Sequence, residues 1–176
     1  MKRILTAFLF VVLLIPLQPG HATDLTLPKD ASIQVYFSPD GGCTEAINKV
    51  LGQARQDILV QAYSFTSAPI AKALLDAHKR GVKVQVILDK SQRTQKYSSA
   101  IFLKNSSIPT FIDDRHAIAH NKIMIIDRET VITGSFNFTK AAEEKNAENL
   151  LIIRDKALAK IYIENWEKHK GHSEPQ

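Results

Sequence analysis

Cysteine is almost missing from this chain. Cys43 stands alone among 176 residues, which excludes an internal disulfide framework and any cysteine-rich zinc site. A single thiol is expected to be buried and inert. No apolar run reaches the roughly 20 residues that span a bilayer, the longest being Ile4–Leu17. There is no internal repeat, no low-complexity block, no His-Glu-x-x-His pattern and no base-reading motif. Cations exceed acids only modestly, with a formal charge of +5. Such a balance suits an anionic partner without requiring one.

The N-terminus has the layout of a secretory signal. Lys2 and Arg3 precede the apolar run, Pro16 and Pro19 break it, and Gly20-His21-Ala22 supplies small residues at the cleavage positions. Cleavage after Ala22 is expected, with a retained membrane anchor as the alternative. Removing residues 1–22 takes away two cations and no acids, and leaves residues 23–176 as one domain.

That remainder alternates between two periodicities. Ile33–Phe37, Asp57–Tyr63, Val82–Leu88, the stretch Ile108–Ile112, Ile123–Ile126, Thr130–Thr133 and Asn149–Ile153 read as strands. Helical spacing appears across Ala46–Ala54, from Pro69 to Gly81, in the second half of the polar segment before Ile108, in Phe138–Lys145 and after Asp155, which is placed to cap the last helix. The expected fold is α/β, with a mixed, mostly parallel sheet flanked by helices on both faces.

The stretch HNKIMIIDRETVITGSFNFT, His120–Thr139, is apolar enough for buried sheet yet carries many polar groups. His120 and Lys122 are two apart, so on extended backbone they share a face. Ser135 and Asn137 repeat that spacing after Gly134. Lysine, amide and hydroxyl are donors suited to phosphate oxygens, and a histidine can attack or move a proton near neutral pH. Taken singly, each has an ordinary structural explanation; the spaced combination points to a catalytic site.

His120, Lys122, Asp127, Gly134 and Ser135 fit His-x-Lys-x4-Asp-x6-Gly-Ser, and on these residues the chain resembles the phospholipase D superfamily. Asn137 follows one residue sooner than in many members, as in the small bacterial endonucleases of that superfamily. Ala62–Ser67 (AYSFTS) and Thr139–Asn149 (TKAAEEKNAEN) also look like that subgroup. The resemblance implies that His120 attacks phosphorus and forms a phosphohistidine. A histidine with the reference pKa of about 6.5 is neutral enough for this at pH 7. It implies that Lys122, Ser135 and Asn137 bind the substrate phosphate and stabilise transition-state charge. Glu148 is the matching residue for orienting the histidine, with Glu143 and Glu144 as nearby substitutes. Asp127 completes the catalytic signature and is expected to brace the site or a subunit contact rather than touch substrate. The chemistry calls for no metal and no cofactor.

Larger members carry two copies of the motif, whereas this chain has one. In-line displacement needs an acid on the far side of phosphorus, so a homodimer with one composite site is expected. The reading is an exported, metal-independent phosphodiesterase, periplasmic or secreted, acting on DNA or RNA with little sequence preference. Stable membrane association is not expected after signal cleavage. A phospholipase acting on head groups is the alternative, disfavoured by the absence of lipid-docking insertions; a non-catalytic DNA-binding protein is a third. Lys90, Arg93 and Lys140 are candidate DNA contacts. His116 is a lesser candidate proton donor. Phe136 and Phe138 are expected in the core, and His78, His169 and His172 on the surface.

Overall fold

A computed structural model describes residues 23–29 and 31–176; the predicted signal segment lies outside these. Eight strands form one sheet: β1 (Ser32–Ser38), β2 (Asp57–Ala62), β3 (Lys83–Asp89), β4 (Thr110–Asp113), β5 (Lys122–Ile126), β6 (Thr130–Gly134), β7 (Glu148–Arg154) and β8 (Glu174–Pro175). Their spatial order is β1-β7-β6-β5-β2-β3-β4-β8. Five α-helices accompany them among the described residues: α1 (Cys43–Gln53), α2 (Ala68–Lys79), α3 (Ala100–Asn105), α4 (Lys140–Glu144) and α5 (Lys156–Lys170).

Alternation along the strands sends side chains to two cores. Ile58, Val60, Met124, Ile126, Ile132, Leu150 and Ile152 join buried residues of α1 to α4. Leu59, Ile87, Ile123, Ile125 and Val131 face α5, whose Ala159 and Trp166 complete a second cluster. The indole of Trp166 donates to the Val60 carbonyl at 2.9 Å, satisfying the one polar atom of a fully buried ring. Burying each such side chain stabilises by about 1.5–3 kcal/mol. Cys43 is fully buried, and burial pushes its thiol up to about 11, with Glu143 adding to the rise. That fits an inert cysteine.

The mixed sheet with helices on both faces stands, but the expected predominance of parallel pairs does not. Only β2–β3 and β3–β4 are parallel; the other five pairings are antiparallel. The physical reason lies in the connections. Helical crossovers make β2, β3 and β4 parallel, whereas β5 returns beside β2 and a tight turn carries it directly into β6. At that turn Asp127 and Arg128 both have positive φ, 52° and 58°, as a type I′ hairpin requires. Helix α4 starts two residues later than expected, because the Thr139 hydroxyl caps it by accepting from the Ala142 N–H at 3.1 Å. Asp155 caps α5 as expected, accepting from Leu158. No helix among the described residues is long and apolar enough to cross a membrane.

Candidate active site

The start of β5 meets the end of β2 through the pairing of Lys122 with Ala62. Just beyond, the Tyr63 N–H donates to the Asn121 carbonyl at 2.8 Å. Tyr63 therefore turns toward the motif: its ring lies 4.6 Å from the His120 ring, centroid to centroid, and 5.1 Å from Lys122 Nζ. His120 is exposed, and Lys122 beside it is buried. The ammonium donates to the His120 carbonyl at 3.0 Å, tying the two motif residues together. Burial lowers the Lys122 pKa, and the nearby Glu148 carboxylate opposes that shift.

Gly134 closes β6 with φ +146°, a region that side chains rarely adopt. A Cβ there would lie 2.3 Å from the Asn149 carbonyl oxygen. That same oxygen accepts from the Ser135 and Phe136 N–H groups, at 3.1 and 3.2 Å. In return the Ser135 hydroxyl accepts from the Asn149 backbone N–H at 3.0 Å and from its amide at 3.3 Å. This reciprocal clamp locks the β6 end to β7 and occupies Ser135. Asn137 comes next, its Oδ1 buried without a hydrogen-bond partner, so the fold leaves this amide uncommitted. Phe136 and Phe138 on either side are fully buried, anchored in the core as expected.

Of the three candidate glutamates, Glu148 is the one held by neither a helix cap nor an ion pair, accepting only from the Asn146 amide at 3.2 Å. Glu143 accepts from the Gly42 and Thr44 N–H groups at 3.2 and 2.7 Å, capping α1. Glu144 pairs with Lys140 at 3.5 Å. Glu148 opens β7 and exerts its charge on Lys122.

His120, Lys122, Ser135, Asn137 and Glu148 thus gather at one end of neighbouring strands. Asp127 does not join them. It sits at the opposite end of β5, where its carboxylate accepts from the N–H groups of Arg55, Gln56 and Asp57 at 2.7–3.2 Å. These contacts tie the hairpin turn to the start of β2. Asp127→Ala is expected to lower stability by about 2–3 kcal/mol while leaving the rate per folded molecule near wild type. Chemical denaturation paired with kcat measures both.

A cleft of about 580 Å³ opens at His120 and Lys122, bordered by Gly134 and by Ile161, Tyr162 and Asn165 of α5. The loop entering it has an anchor that sequence reading missed. Buried Asp89 accepts from the Ala119 N–H at 2.8 Å and the Ser91 N–H at 2.9 Å, fixing the residue before His120. Its one legible sign was an acid directly after the apolar run Val86–Leu88.

Lys90, Arg93 and Lys140 are exposed, and each has an internal contact: the His116 carbonyl at 2.9 Å, Glu174 at 2.7 Å and Glu144. Exposed pairs of this kind contribute about 0–1 kcal/mol. The surface placement expected for His169 and His172 fails. Both are largely covered, and with His116 they surround buried Asp113.

The depressed Lys122 makes a signed expectation. In a His120→Ala background, binding of a small fluorescent phosphodiester should weaken at a pH below the ordinary lysine value of 10.5. Glu148→Gln should move that loss further toward acid, because the carboxylate is what sustains the charge. Fluorescence anisotropy across pH checks the order of the two midpoints.

Residues 47–170 match the family described as cardiolipin synthase, PLD-like domain. The chain is 46% identical over 141 residues to a phospholipase D of Rickettsia felis, covering 80% of this chain and 70% of the relative. It is 31% identical to a mitochondrial cardiolipin hydrolase of Mus musculus, covering 70% and 63%. The crystal structure of Nuc, a phospholipase D family member from Salmonella typhimurium, superposes with a TM-score of 0.80 at 39% identity, covering 84% of this chain and 99% of Nuc. NucT from Helicobacter pylori shares the fold, with a TM-score of 0.77 at 24% identity, covering 84% of this chain and 100% of NucT. With His120, Lys122, Ser135 and Asn137 drawn together at the strand ends, the chain belongs to the phospholipase D superfamily. Within it, the chain is a phosphodiesterase by fold and motif.

Proposed function

We propose that the protein hydrolyses nucleic-acid phosphodiesters through a phosphohistidine, at a site completed by a second copy of the chain. The observation that carries this is the pairing of exposed His120 with buried Lys122 at a cleft, in a chain holding one copy of the motif. A His120 imidazole nitrogen attacks phosphorus. The bond to the leaving oxygen breaks, and the partner subunit's His120 gives that oxygen a proton. The partner's imidazole, now neutral, takes a proton from water. The resulting hydroxide attacks phosphorus, the P–N bond breaks, and His120 is restored. Lys122 and Asn137 hold the non-bridging oxygens as charge builds, and Glu148 orients His120.

The surface next to the site supports a second copy. On edge strand β1, Ile33, Val35 and Phe37 are 49%, 51% and 66% exposed. Phe37 pairs with Asn149 and Ser38 with Glu148, so this apolar strip ends at the site. Left uncovered by the described residues, such an apolar edge is a liability unless another chain lies on it.

Nucleic acid is the favoured substrate because the motif spacing and flanking segments resemble the small bacterial endonucleases. Affinity then comes from backbone phosphates and falls with salt. Lipid is the second reading, favoured by two relatives named for lipid hydrolysis and by exposed Tyr97, Ile101 and Phe102 near an apolar groove of about 510 Å³. Plasmid digestion in EDTA, run beside head-group release from phosphatidylcholine vesicles, separates them. Cleaved plasmid and intact lipid are expected; the reverse overturns the choice. We place the mature protein outside the cytoplasm on the N-terminal segment alone. N-terminal sequencing of the exported form should begin at Thr23.

A further inference from the structure

Away from the cleft, two short sequence patterns meet. Asp113-x-x-His116 ends β4 and enters the loop toward His120; His169-x-x-His172 closes α5 and the turn after it. Asp113 is fully buried. Its carboxylate lies 3.1 Å from His116 Nδ1, 2.8 Å from His169 Nδ1 and 3.3 Å from His172 Nε2. One donor atom from each residue falls within 4.8 Å of all the others, and the three rings pack 4.9–5.4 Å apart.

Hydrogen bonding of imidazoles to the carboxylate explains part of this. His169 and His116 make such bonds. His172 is less well served: its buried Nε2 stands 3.3 Å from the Asp113 carboxylate, without the alignment of a good hydrogen bond. A buried nitrogen without a partner is costly unless something else meets its lone pair.

We propose that Asp113, His116, His169 and His172 form a structural site for a zinc-like divalent cation. Three imidazoles and one carboxylate suit borderline metals such as zinc, whereas calcium and magnesium prefer shells of oxygen. Four protein donors leave no open position, which marks a closed, structural site rather than a hydrolytic one. Metal–ligand bonds of about 2.0–2.2 Å require the donors to draw inward, which rotation of the half-exposed His116 ring allows. Register separates the two sites: Lys122 aligns through Ala62 and Leu88 with Ile112, the neighbour of Asp113. Three strand spacings of about 4.8 Å put them roughly 14 Å apart. The cation clips the C-terminal turn to the loop carrying His120, next to the contact of Asp89 with Ala119. It stabilises that loop and takes no part in phosphoryl transfer.

The test uses untagged protein, stripped with EDTA and dialysed. Zinc titration by competition with a chromophoric chelator should give one equivalent per chain and raise Tm, since a ligand of the folded state stabilises it. Cobalt should give the visible bands of a tetrahedral ion. His172→Ala should weaken binding beyond the 10- to 100-fold typical of an outer-shell partner. His116→Asn, in an exposed loop, should do the same if His172→Ala folds poorly. The absence of saturable binding, or binding unchanged in both variants, overturns the proposal. Because metal content and Tm are read without substrate, failure here leaves the phosphodiesterase reading intact.

Discussion

His120→Ala is expected to reduce phosphodiester cleavage on the order of 10⁴- to 10⁶-fold, the scale seen when a covalent nucleophile is removed. The loss should come with little change in stability, because His120 is exposed and stands outside both hydrophobic clusters. Substrate binding should persist, since Lys122 and Asn137 remain. Rapid quenching of wild type in alkaline denaturant, where a P–N bond survives, should trap label from phosphorus-labelled substrate on the protein, and the variant should trap none. Label on the protein that survives in the variant would assign the nucleophile elsewhere.

Gly134→Ala is expected to damage both fold and rate. Its Cβ would press against the Asn149 backbone carbonyl at 2.3 Å and the Asn149 side chain at 2.9 Å. Backbone on both sides is held by the sheet, so β6 and β7 must separate. The substitution should cost about 3 kcal/mol or more, which lowers Tm by roughly 6–12 °C in a domain of this size. Separation also unseats the Ser135–Asn149 clamp and shifts Asn137 and Glu148 relative to Lys122. A displacement near 1 Å costs about a hundredfold in rate, so folded variant should remain severely impaired. Calorimetry and kcat at a temperature below the new transition measure the two losses separately. A variant with wild-type Tm would show that β6 and β7 have slack at this point.

These expectations draw on features with unequal visibility in the sequence. Strand and helix periodicities placed most elements, because each buries one face of a regular repeat. Sheet direction was not visible in that way. The alternation of βαβ segments suggested parallel neighbours, but pairing partners depend on where β5 returns, and β1 finds β7 from far along the chain. Strand β8 has two residues, too few to show any period. The grouping of His120, Lys122, Ser135 and Asn137 was readable from spacing, since residues two apart share a face. Glu148 was separable from Glu143 only once the contacts to Gly42 and Thr44 were visible. The histidines around Asp113 were opaque for the same reason: their two segments lie more than 50 positions apart, and chain folding alone joins them.

Asp127 shows how a motif residue can lie away from the candidate site and brace it from a distance. Its carboxylate collects three backbone N–H groups at the far end of β5. It thereby sets the hairpin whose other end presents His120 and Gly134. The signature spacing holds because one strand pair must span from brace to site.

The central claim is that two copies of His120 share one phosphorus. It is tested most directly with a purified mixed dimer carrying wild type on one differently tagged chain and His120→Ala on the other. One imidazole short, this dimer should cleave plasmid no faster than the doubly substituted protein. Activity at half the wild-type level would mean that each chain works alone, and would contradict the composite site.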